Sequence, residues 1–489
     1  MEGYKNMQML RKYWQGTRMW VEVGLLLLLL VASSISTFAL KAHQTKASQF
    51  DATAGGWPTY MANNRRSGFN GTETLINSTT AANLKVHWTF KGGGMIFSQP
   101  VIANGMVYWG SWDGYEHATD LNGEPVWRQN LGQTTANCGT TAPYGVISTA
   151  AVASVSINGT KTLLVVVGGG DDHLYALNAS TGAIIWRTPL GAPSSNTFIW
   201  DSPVVYNGSV YIGTASIGDC PLIPGQLLRI DASTGSIQNT FNVVPGGCIG
   251  GGIWSSPTID QVNNSVYFTT GTAGRCPTSE KNAIAMVKLN ASNLSFISSW
   301  HIPKSERVLD SDFGATPTLF QAPIGGSTHQ LVGAANKNGV YYAFDRTDIG
   351  SGPLWRAQIA VGGACPQCGK GSISSSAWDG TMLYVAGGNT TINGNNCKGS
   401  LRALDPSTGH FIWEHCLNEG TVLGAVTVVP GVVAAVEGPD LVLVDATSGK
   451  ALFAYRGLSV KSHFYGSPSI SNGVLYIGNK DSRLYALGT

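Results

Sequence analysis

The sequence predicts an all-β protein, an eight-bladed β-propeller preceded by an N-terminal transmembrane helix. One hairpin phrase recurs along the chain, as "ALNASTGAIIW" (Ala176–Trp186), "ALDPSTGHFIW" (Ala403–Trp413) and "LVDATSGKALF" (Leu443–Phe453). The units built around this phrase repeat about every 50 residues, a period typical of propellers, solenoids and arrays. The apolar run Val21–Leu40 is long enough to cross a bilayer and predicts the helix.

Each repeat unit contains four strand patterns, and four strands per unit favour a propeller over other repeat folds. A small residue and a proline open the first strand, as in Ser202–Pro203 and Ser256–Pro257. β-Branched and aromatic residues fill the strands, and an Asx residue followed by glycine marks the tight turn. The fourth strand carries an aromatic residue that we expect to pack between blades: Trp127, Trp186, Phe241, Trp300, Trp355, Trp413 and Phe453.

The number of blades follows from where the units begin and end. Seven complete units lie between Met95 and Ser459, and an eighth begins at Lys461 but lacks its fourth strand. The segment "NLKVHWTF" (Asn83–Phe90) has the pattern of a closing strand. We therefore predict that it completes the eighth blade, which closes the ring and removes exposed sheet edges. Seven blades is the alternative, if the degenerate unit Val422–Ser459 is not a blade.

The N-terminal region determines the predicted location. Residues 1–41 contain five Lys and Arg residues against two Glu residues. This positive flank predicts a cytoplasmic tail at 1–20, a signal anchor at 21–40, a linker at 41–82 and an external propeller at 83–489. A cleaved signal peptide is the alternative, and the body is exported in either case. Because the whole chain has a net charge of only +2, nothing predicts a nucleic-acid partner.

All eight cysteines lie in the exported body, where disulfides are expected. Residues mirrored about a hairpin turn face each other across the ladder, and "CPQC" brings two thiols together locally. The predicted pairs are Cys220–Cys248, Cys397–Cys416 and Cys365–Cys368. A zinc site is the alternative for "CPQC", and the partners of Cys138 and Cys276 stay open. No CxxCH motif occurs, which excludes covalent haem.

From Trp57 onward the chain resembles the PQQ-binding quinoprotein dehydrogenases, and within them the polyvinyl-alcohol-dehydrogenase-like branch. The matching segments are "WPTYMANNRRSG" (Trp57–Gly68), "GSWDG" (Gly110–Gly114), "DSDFGATPTLF" (Asp310–Phe320) and "KNGVYYAFDR" (Lys337–Arg346). The repeat also resembles that of the outer-membrane barrel-assembly lipoproteins, which are non-catalytic propellers. The repeat alone therefore does not decide activity.

The resemblance implies a site for PQQ, a flat anionic ortho-quinone. It gives Trp254 as the aromatic floor and Lys337 as the cation beside a quinone oxygen, where the alternatives are a blade-packing aromatic and a solvated loop cation. The Ca²⁺ ligands of alcohol-oxidising relatives align with Thr272 and near Asp219, so calcium is doubtful. Their catalytic aspartate aligns with Asn290, which cannot act as a base.

Two carboxylates remain as catalytic candidates, Asp310 and Asp312 of "DSDFG", with two solvated loop acids as the alternative. The first functional hypothesis is a membrane-tethered, externally facing PQQ oxidoreductase acting on small or polymeric alcohols. With no haem motif, its electrons would pass to a separate acceptor. The second hypothesis is a non-catalytic scaffold or binding module of the cell envelope.

Overall fold

The computed structural model describes residues 55–136, 142–191, 196–219, 221–272, 274, 276 and 280–489. They belong to a unit that spans Ala52–Thr489, and a separate unit, Met1–Asp51, lies outside the described residues. The predicted tail 1–20 and membrane span 21–40 therefore also lie outside them. In the part of the chain that is described, no helix combines the length and apolarity needed to span a membrane.

The described residues form eight antiparallel sheets, seven of four strands and one of five, which are the blades of the propeller. Strand β1 (Lys85–Lys91) precedes all of them in sequence. Blade 1 contains β2 (Val101–Ala103), β3 (Met106–Gly110), β4 (Tyr115–Asp120) and β5 (Pro125–Asn130). Blade 2 contains β6 (Ala151–Ile157), β7 (Thr160–Gly168), β8 (His173–Asn178) and β9 (Ile184–Pro189). Blade 3 contains the short added strand β10 (Thr197–Phe198), then β11 (Val204–Tyr206), β12 (Ser209–Ser216), β13 (Gln226–Asp231) and β14 (Ile237–Asn242).

The remaining blades follow the same order. Blade 4 contains β15 (Thr258–Asp260), β16 (Ser265–Thr269), β17 (Ala285–Asn290) and β18 (Phe296–His301). Blade 5 contains β19 (Thr318–Ile324), β20 (Ser327–Ala335), β21 (Val340–Asp345) and β22 (Trp355–Gln358). Blade 6 contains β23 (Ala377–Trp378), β24 (Leu383–Gly387), β27 (Gly399–Leu404) and β28 (Phe411–Leu417), with the inserted hairpin β25 (Thr390–Ile392) and β26 (Asn395–Cys397). Blade 7 contains β29 (Thr427–Val429), β30 (Val432–Glu437), β31 (Asp440–Asp445) and β32 (Ala451–Arg456). Blade 8 contains β33 (Ser469–Ser471), β34 (Val474–Gly478) and β35 (Arg483–Gly488). Short 3₁₀ helices lie at Ala81–Asn83, Lys304–Glu306, Ile349–Ser351 and Pro366–Cys368.

The ring closes as the sequence predicts. Strand β1 pairs antiparallel with β35, with Thr89 opposite Tyr485 and Phe90 opposite Leu484. Blade 8 therefore combines three strands from the C-terminus with one from near the N-terminus. The degenerate unit is the complete blade 7, so the described residues confirm the eight-bladed ring.

The aromatic residues of the fourth strands join neighbouring blades, as predicted. Five of them are tryptophans whose indole Nε1–H donates to a backbone carbonyl in or beside the turn of the next blade. These bonds run from Trp88 to Leu121, Trp127 to Ala179, Trp186 to Ala232, Trp355 to Pro406 and Trp413 to Ala446, at 2.9–3.0 Å. The turn glycine, for example Gly182, has a positive φ and lies against the indole, where a Cβ would overlap it. This contact explains why the hairpin phrase recurs.

Residues 55–70 lie across the first strands of the blades, and we call this segment the plug. It forms hydrogen bonds to the equivalent residue of the first strand in every blade: Ile102, Val152, Val205, Ile259, Leu319, Trp378, Val428 and Ile470. Trp57, for example, exchanges two backbone bonds with Ile102, at 2.8 and 2.9 Å. The plug therefore closes the centre of the ring on one side.

Arg66 anchors the plug to blades 3 and 4. Its side chain is fully buried, and its guanidinium makes five hydrogen bonds. The acceptors are Pro257 O, Thr59 Oγ1, Tyr60 O, Ser202 O and Pro203 O, at 2.7–3.2 Å. Because a buried guanidinium is costly unless its donors are paired, this set of acceptors is what permits Arg66 at the centre of the molecule.

Two of the three predicted disulfides are confirmed, Cys365–Cys368 and Cys397–Cys416. The first also excludes the zinc alternative for "CPQC". The prediction Cys220–Cys248 is wrong, because Cys248 is bonded to Cys276, with Cα atoms 4.7 Å apart. The ladder of β13 and β14 runs only from Gln226 to Asn242, so residues further out no longer face each other. Cys138 and Cys220 lie outside the described residues.

Candidate functional site

The candidate site lies where one end of blade 4 meets one end of blade 5. In an antiparallel blade, the loop before the first strand and the loop after the second strand lie at the same end. Trp254 precedes β15 and Thr272 follows β16 in blade 4. Asp310 and Asp312 precede β19 and Lys337 follows β20 in blade 5. We call this end of the propeller the site face.

Lys337 joins the two candidate carboxylates. Its Nζ donates to Asp310 Oδ2 at 2.7 Å and to Asp312 Oδ2 at 3.0 Å. Thr272 completes the cluster, since its hydroxyl donates to Asp310 Oδ1 at 3.0 Å. The backbone N–H and the hydroxyl of Thr272 both contact Asp312 Oδ1 as well. The structure thus brings Thr272, Asp310, Asp312 and Lys337 into one hydrogen-bonded cluster.

Burial and charge together set the protonation of this cluster. The side chain of Lys337 is only 10% exposed. This burial opposes its charge, but the carboxylates of Asp312 and Asp310 outweigh it and raise the pKa of Lys337. Burial, with the nearby charge of Asp310, raises the pKa of Asp312, and the contacts from Lys337 and Thr272 offset part of that rise. The cluster therefore holds a fixed ammonium beside a buried carboxyl group, that of Asp312, whose pKa is raised.

The backbone around the cluster is held as firmly as the side chains. Asn336 donates from Nδ2 to the carbonyls of Ser311 and Asp312, at 2.7 and 2.9 Å. The N–H of Lys337 donates to the Asp312 carbonyl at 3.1 Å. Asp310 has a φ of 55°, in the left-handed region that aspartate tolerates better than most residues. These bonds fix the Lys337 loop against the carboxylate loop before any ligand binds.

Trp254 forms one wall of the site. Lys337 Nζ lies 5.3 Å from the centroid of its ring, over the indole face. On blade 5, a Cβ added at Gly314 would overlap the six-membered ring of Trp254. A Cβ at Gly271 would come within 3.2 Å of the indole Nε1 and 3.3 Å of Asp312 Oδ1. Glycine at these two positions lets the indole reach across from blade 4 to the carboxylates of blade 5.

Trp254 belongs to a ring of equivalent positions, two residues before the small residue that opens each blade. The members of this mouth ring are Phe97, Ile147, Trp200, Trp254, Gly314, Ile373, Leu423 and Tyr465. Every one of them is half-buried, whereas the residue that follows each of them in the sequence is buried. Side chains at this level therefore line an apolar opening on the site face, as expected of a ligand pocket.

Beneath the mouth ring lies a second ring of hydrogen bonds, made by the small residues that open the blades. A hydroxyl of one blade accepts from the backbone N–H of the preceding blade. The bonds are Gln99–Thr149, Thr149–Ser202, Ser202–Ser256, Ser256–Thr316, Thr316–Ser375 and Ala425–Ser467, at 2.7–3.0 Å. The plug contacts each first strand three residues after the residue that opens the blade. This places it about 10 Å from the hydroxyl ring, at 3.3 Å per residue along the strand. The mouth ring, the buried hydroxyls beneath it and the plug therefore lie at successive levels, and we call the mouth ring together with the hydroxyl level beneath it, the floor, the cup.

Two residues suggested by the resemblance lie outside the site. Asp219 is exposed on the loop after β12, and no contact joins it to the cluster within the described residues. Asn290 ends β17, where it pairs with Ser265 at the far end of blade 4 and its side chain accepts from Ser292 N. Asn290 is therefore not part of the cluster.

Sequence reasoning missed the mouth ring, the glycines that seat Trp254 and the cup floor. A signal for them was present in the small residue before each first strand. Positions counted back from it, such as Trp200 and Trp254 before Ser202 and Ser256, occupy one level of the cup. The role of Gly314 is visible only when the indole of the neighbouring blade is placed, because it depends on a contact between residues 60 positions apart.

A comparison with protein families matches this architecture. A family model described as outer membrane protein assembly factor BamB matches residues 113–274 and 320–489, more than half of the chain. The chain belongs to this PQQ-repeat, BamB-like family. The matched residues include parts of all eight blades, and Thr272 and Lys337 lie inside them.

Relatives of this BamB-like chain include oxidoreductases. It is 25% identical over 334 residues to a lupanine 17-hydroxylase [cytochrome c] of Pseudomonas sp, covering 60% of this chain and 46% of the relative. It is 24% identical over 368 residues to a polyvinylalcohol dehydrogenase of Sphingopyxis sp. (strain 113P3), covering 62% and 55%. The chain thus spans about half the length of these relatives.

A solved structure shows the same fold. The quinohemoprotein alcohol dehydrogenase from Comamonas testosteroni superposes with a TM-score of 0.71 at 18% sequence identity. The match covers 90% of this chain and 81% of that one. At this identity the likeness concerns the propeller fold of the BamB-like chain and not its activity.

Proposed function

We propose that the protein is a quinoprotein-type oxidoreductase that binds PQQ in the cup of the site face and acts on alcohol groups. One observation carries the proposal: the ammonium of Lys337 lies over the indole of Trp254 and between the carboxylates of Asp310 and Asp312. The quinoprotein relatives give the proposal independent support.

The residues present fit such a cofactor. A flat anionic quinone needs an aromatic surface and a cation, and Trp254 and Lys337 supply both at the same place. The cup is apolar at the level of Trp254, so it favours a flat ring system. When bound, the cofactor would supply the two-electron acceptor that the side chains of the protein lack.

The cluster supplies the proton chemistry. Asp312 accepts from the backbone N–H of Thr272 and from Lys337 and also contacts the Thr272 hydroxyl, and its side chain is 13% exposed. Asp310 is 29% exposed and makes fewer contacts. We therefore assign Asp310 as the base that takes the hydroxyl proton of the alcohol, and Asp312 as the residue that positions Lys337. Lys337 keeps its own proton because both carboxylates stabilise its charge.

The residues do not fit a calcium site. Ca²⁺ takes six to eight oxygen ligands, largely from carboxylates and carbonyls. Here both carboxylates already contact an ammonium, Asp219 lies elsewhere, and Thr272 offers only a hydroxyl. The charge that a divalent ion would supply comes instead from Lys337, and no step of this proposal uses a metal.

Location and partners complete the proposal. The apolar run Val21–Leu40 with its basic flank supports a membrane tether and an external propeller. Three disulfides in the described part of the propeller fit an oxidising compartment. Since the sequence has no CxxCH motif, electrons would leave to a separate acceptor. The alcohol itself is a small molecule or a polymer, as the names of the relatives indicate for those proteins.

The decisive experiment combines binding and turnover. The purified protein is titrated with PQQ while tryptophan fluorescence is followed, and is then assayed for alcohol-dependent reduction of a redox dye. We expect saturable quenching and dye reduction by the wild type, and loss of both in Trp254→Ala. No quenching by PQQ in a folded wild type would leave the scaffold function in place of this one.

A further inference from the structure

Five aromatic side chains contact one another in series around the site face. Ring centroids are 5.2 Å apart from Tyr465 to Phe97, 5.0 Å from Phe97 to Trp112, 4.7 Å from Trp112 to Tyr144 and 5.6 Å from Tyr144 to Trp200. We call this series the aromatic arc. It runs from blade 8 through blades 1 and 2 to blade 3 without interruption by another residue type.

The arc lies at the mouth of the cup. Phe97, Trp200 and Tyr465 are members of the mouth ring. Blade 2 carries Ile147 in that ring, and the gap above it is bridged by Trp112 and Tyr144. All five rings are half-buried, so each offers a surface to a ligand while its other side is packed.

The arc leads to the proposed reaction centre. Trp200 occupies in blade 3 the position that Trp254 occupies in blade 4, and adjacent blades place equivalent residues side by side. The arc therefore ends one blade away from the indole beside Lys337, at the same level of the cup. On the other side of Trp254, the ring positions are Gly314, Ile373 and Leu423, which offer no aromatic surface.

Such a surface is larger than a small alcohol can use. A carbinol at Asp310 would reach only the part of the cup formed by Trp254 and Lys337. The exposed parts of these half-buried rings are unfavourable in water. A ligand that covers several rings at once therefore gains the most binding free energy from the apolar surface it removes from water. Polar groups at the arc are few, among them the Tyr465 hydroxyl, which contacts His463 Nδ1 at 3.1 Å.

We infer that the aromatic arc binds the non-reacting part of the substrate, and that the protein prefers alcohols with a long or bulky hydrocarbon substituent over short ones. This inference rests on the proposed function, because it places the reacting hydroxyl at Asp310. The arc residues are specificity-determining and contact the substrate away from the reacting atoms. They leave the proton transfer itself unchanged.

The test is a chain-length series with the PQQ-loaded protein, using ethanol, 1-butanol, 1-hexanol and 1-octanol. We expect kcat/KM to rise by about two- to fourfold per added methylene, the range that burial of CH₂ groups gives. Trp112→Ala should flatten this gradient and leave the value for ethanol within about twofold. Trp112→Phe, which keeps a ring in the arc, should restore it. Tyr465→Leu repeats the test at the other end of the arc if Trp112→Ala does not fold.

Binding is also measured without turnover, by calorimetric titration of 1-hexanol into the wild type and Trp112→Ala without added cofactor. Heat of binding in the wild type that is lost in the variant supports the arc even if PQQ does not bind, in which case only the proposed function fails. If the PQQ-loaded wild type oxidises ethanol but its kcat/KM does not rise with chain length, the proposed role of the aromatic arc is wrong and the proposed oxidoreductase function is retained. A gradient of equal slope in Trp112→Ala and the wild type also overturns it.

Discussion

Gly314 lies so close to the indole of Trp254 that a Cβ added there would overlap the six-membered ring. This contact between neighbouring blades fixes the aromatic wall of the site without any hydrogen bond to the ring face. It also makes the site sensitive to a single methyl group, which gives the first prediction.

Gly314→Ala should displace Trp254 and weaken both folding and PQQ binding. We expect a loss of about 1–3 kcal/mol in the free energy of unfolding, typical of overpacking, together with weaker fluorescence quenching by PQQ. Gly246→Ala is the matched control, because no atom lies within 4 Å of a Cβ added there. Equal behaviour of the two variants in denaturant unfolding and PQQ titration would contradict the role of Gly314.

Lys337→Met should make stability depend on pH in a specific way. Without the ammonium, the pKa of Asp312, which burial already raises, moves further up. A carboxyl group whose pKa is higher in the folded than in the unfolded protein does not reduce the free energy of unfolding at acid pH. It reduces that free energy increasingly as pH rises through the pKa of the folded state. The variant should match the wild type near pH 4 and be less stable by about 1–3 kcal/mol at pH 7.

The measurement for Lys337→Met is urea unfolding at several pH values between 4 and 8. In the wild type the pKa of Lys337 is raised, so its ammonium is present throughout this pH range, and the expected pH dependence comes from ionisation of Asp312. Lys398→Met, at an exposed position, is the control and should show no such pH dependence. A difference from the wild type that does not change with pH would argue against the coupled cluster.

Asp310→Asn and Asp312→Asn should separate the two roles. Asparagine keeps the size of the side chain and tolerates the left-handed backbone of residue 310. Loss of a general base costs about 10²–10⁴-fold in rate, so Asp310→Asn should lower kcat with PQQ affinity nearly unchanged. Asp312→Asn should weaken PQQ binding through Lys337 and reduce kcat less. The opposite assignment in dye reduction and quenching would exchange the two roles.

Removal of divalent ions should have little effect. Because Lys337 supplies the positive charge between the carboxylates, EDTA treatment should change PQQ affinity by less than about twofold, well under the tenfold that 1.4 kcal/mol represents. The quenching titration is run with the EDTA-treated protein and again after CaCl₂ is added. Strong restoration of binding by calcium would show that the carboxylates take a metal in place of their contacts to the ammonium.

Arg66→Lys tests the plug. A lysine cannot reach the five acceptors of the buried guanidinium, and unpaired buried groups cost about 1–3 kcal/mol each. We expect a lower midpoint in thermal unfolding, with the site chemistry unchanged in whatever protein remains folded. Arg65→Lys is a matched control at the preceding, exposed residue. Similar midpoints for the two variants would mean that Arg66 does not hold the plug.

The fold was predictable because every repeat contains the same pattern of strands, turn residues and closing aromatic residue. The fourth-strand aromatic of one unit and the turn glycine of the next, such as Trp127 and Gly182, imply their contact wherever the phrase recurs. The missing strand at the C-terminus and the orphan strand before blade 1 imply the pairing of β1 with β35. The regular spacing of the repeats was therefore enough to predict the blades and the way the ring closes.

The site was predictable only in part, since it depends on contacts across blades. Lys337, Asp310 and Asp312 came from motifs, but nothing in their spacing says that one ammonium joins both acids. The resemblance linked Asn290 to the catalytic aspartate of the relatives, but Asn290 lies at the far end of its blade. The pairing of Cys248 with Cys276 joins loops of different blades, which symmetry about a hairpin cannot foresee. The plug has no repeat of its own and so left no periodic signal.

The plug also has a consequence for how such a protein can evolve. Repeat proteins readily gain or lose units by duplication or deletion, because each unit contacts mainly its neighbours. Residues 55–70, however, form hydrogen bonds to every one of the eight blades, so their spacing matches a ring of this size. A descendant with one blade more or fewer would leave part of this segment without partners. The plug therefore constrains the number of repeats: a change in the number of blades requires that these sixteen residues change at the same time.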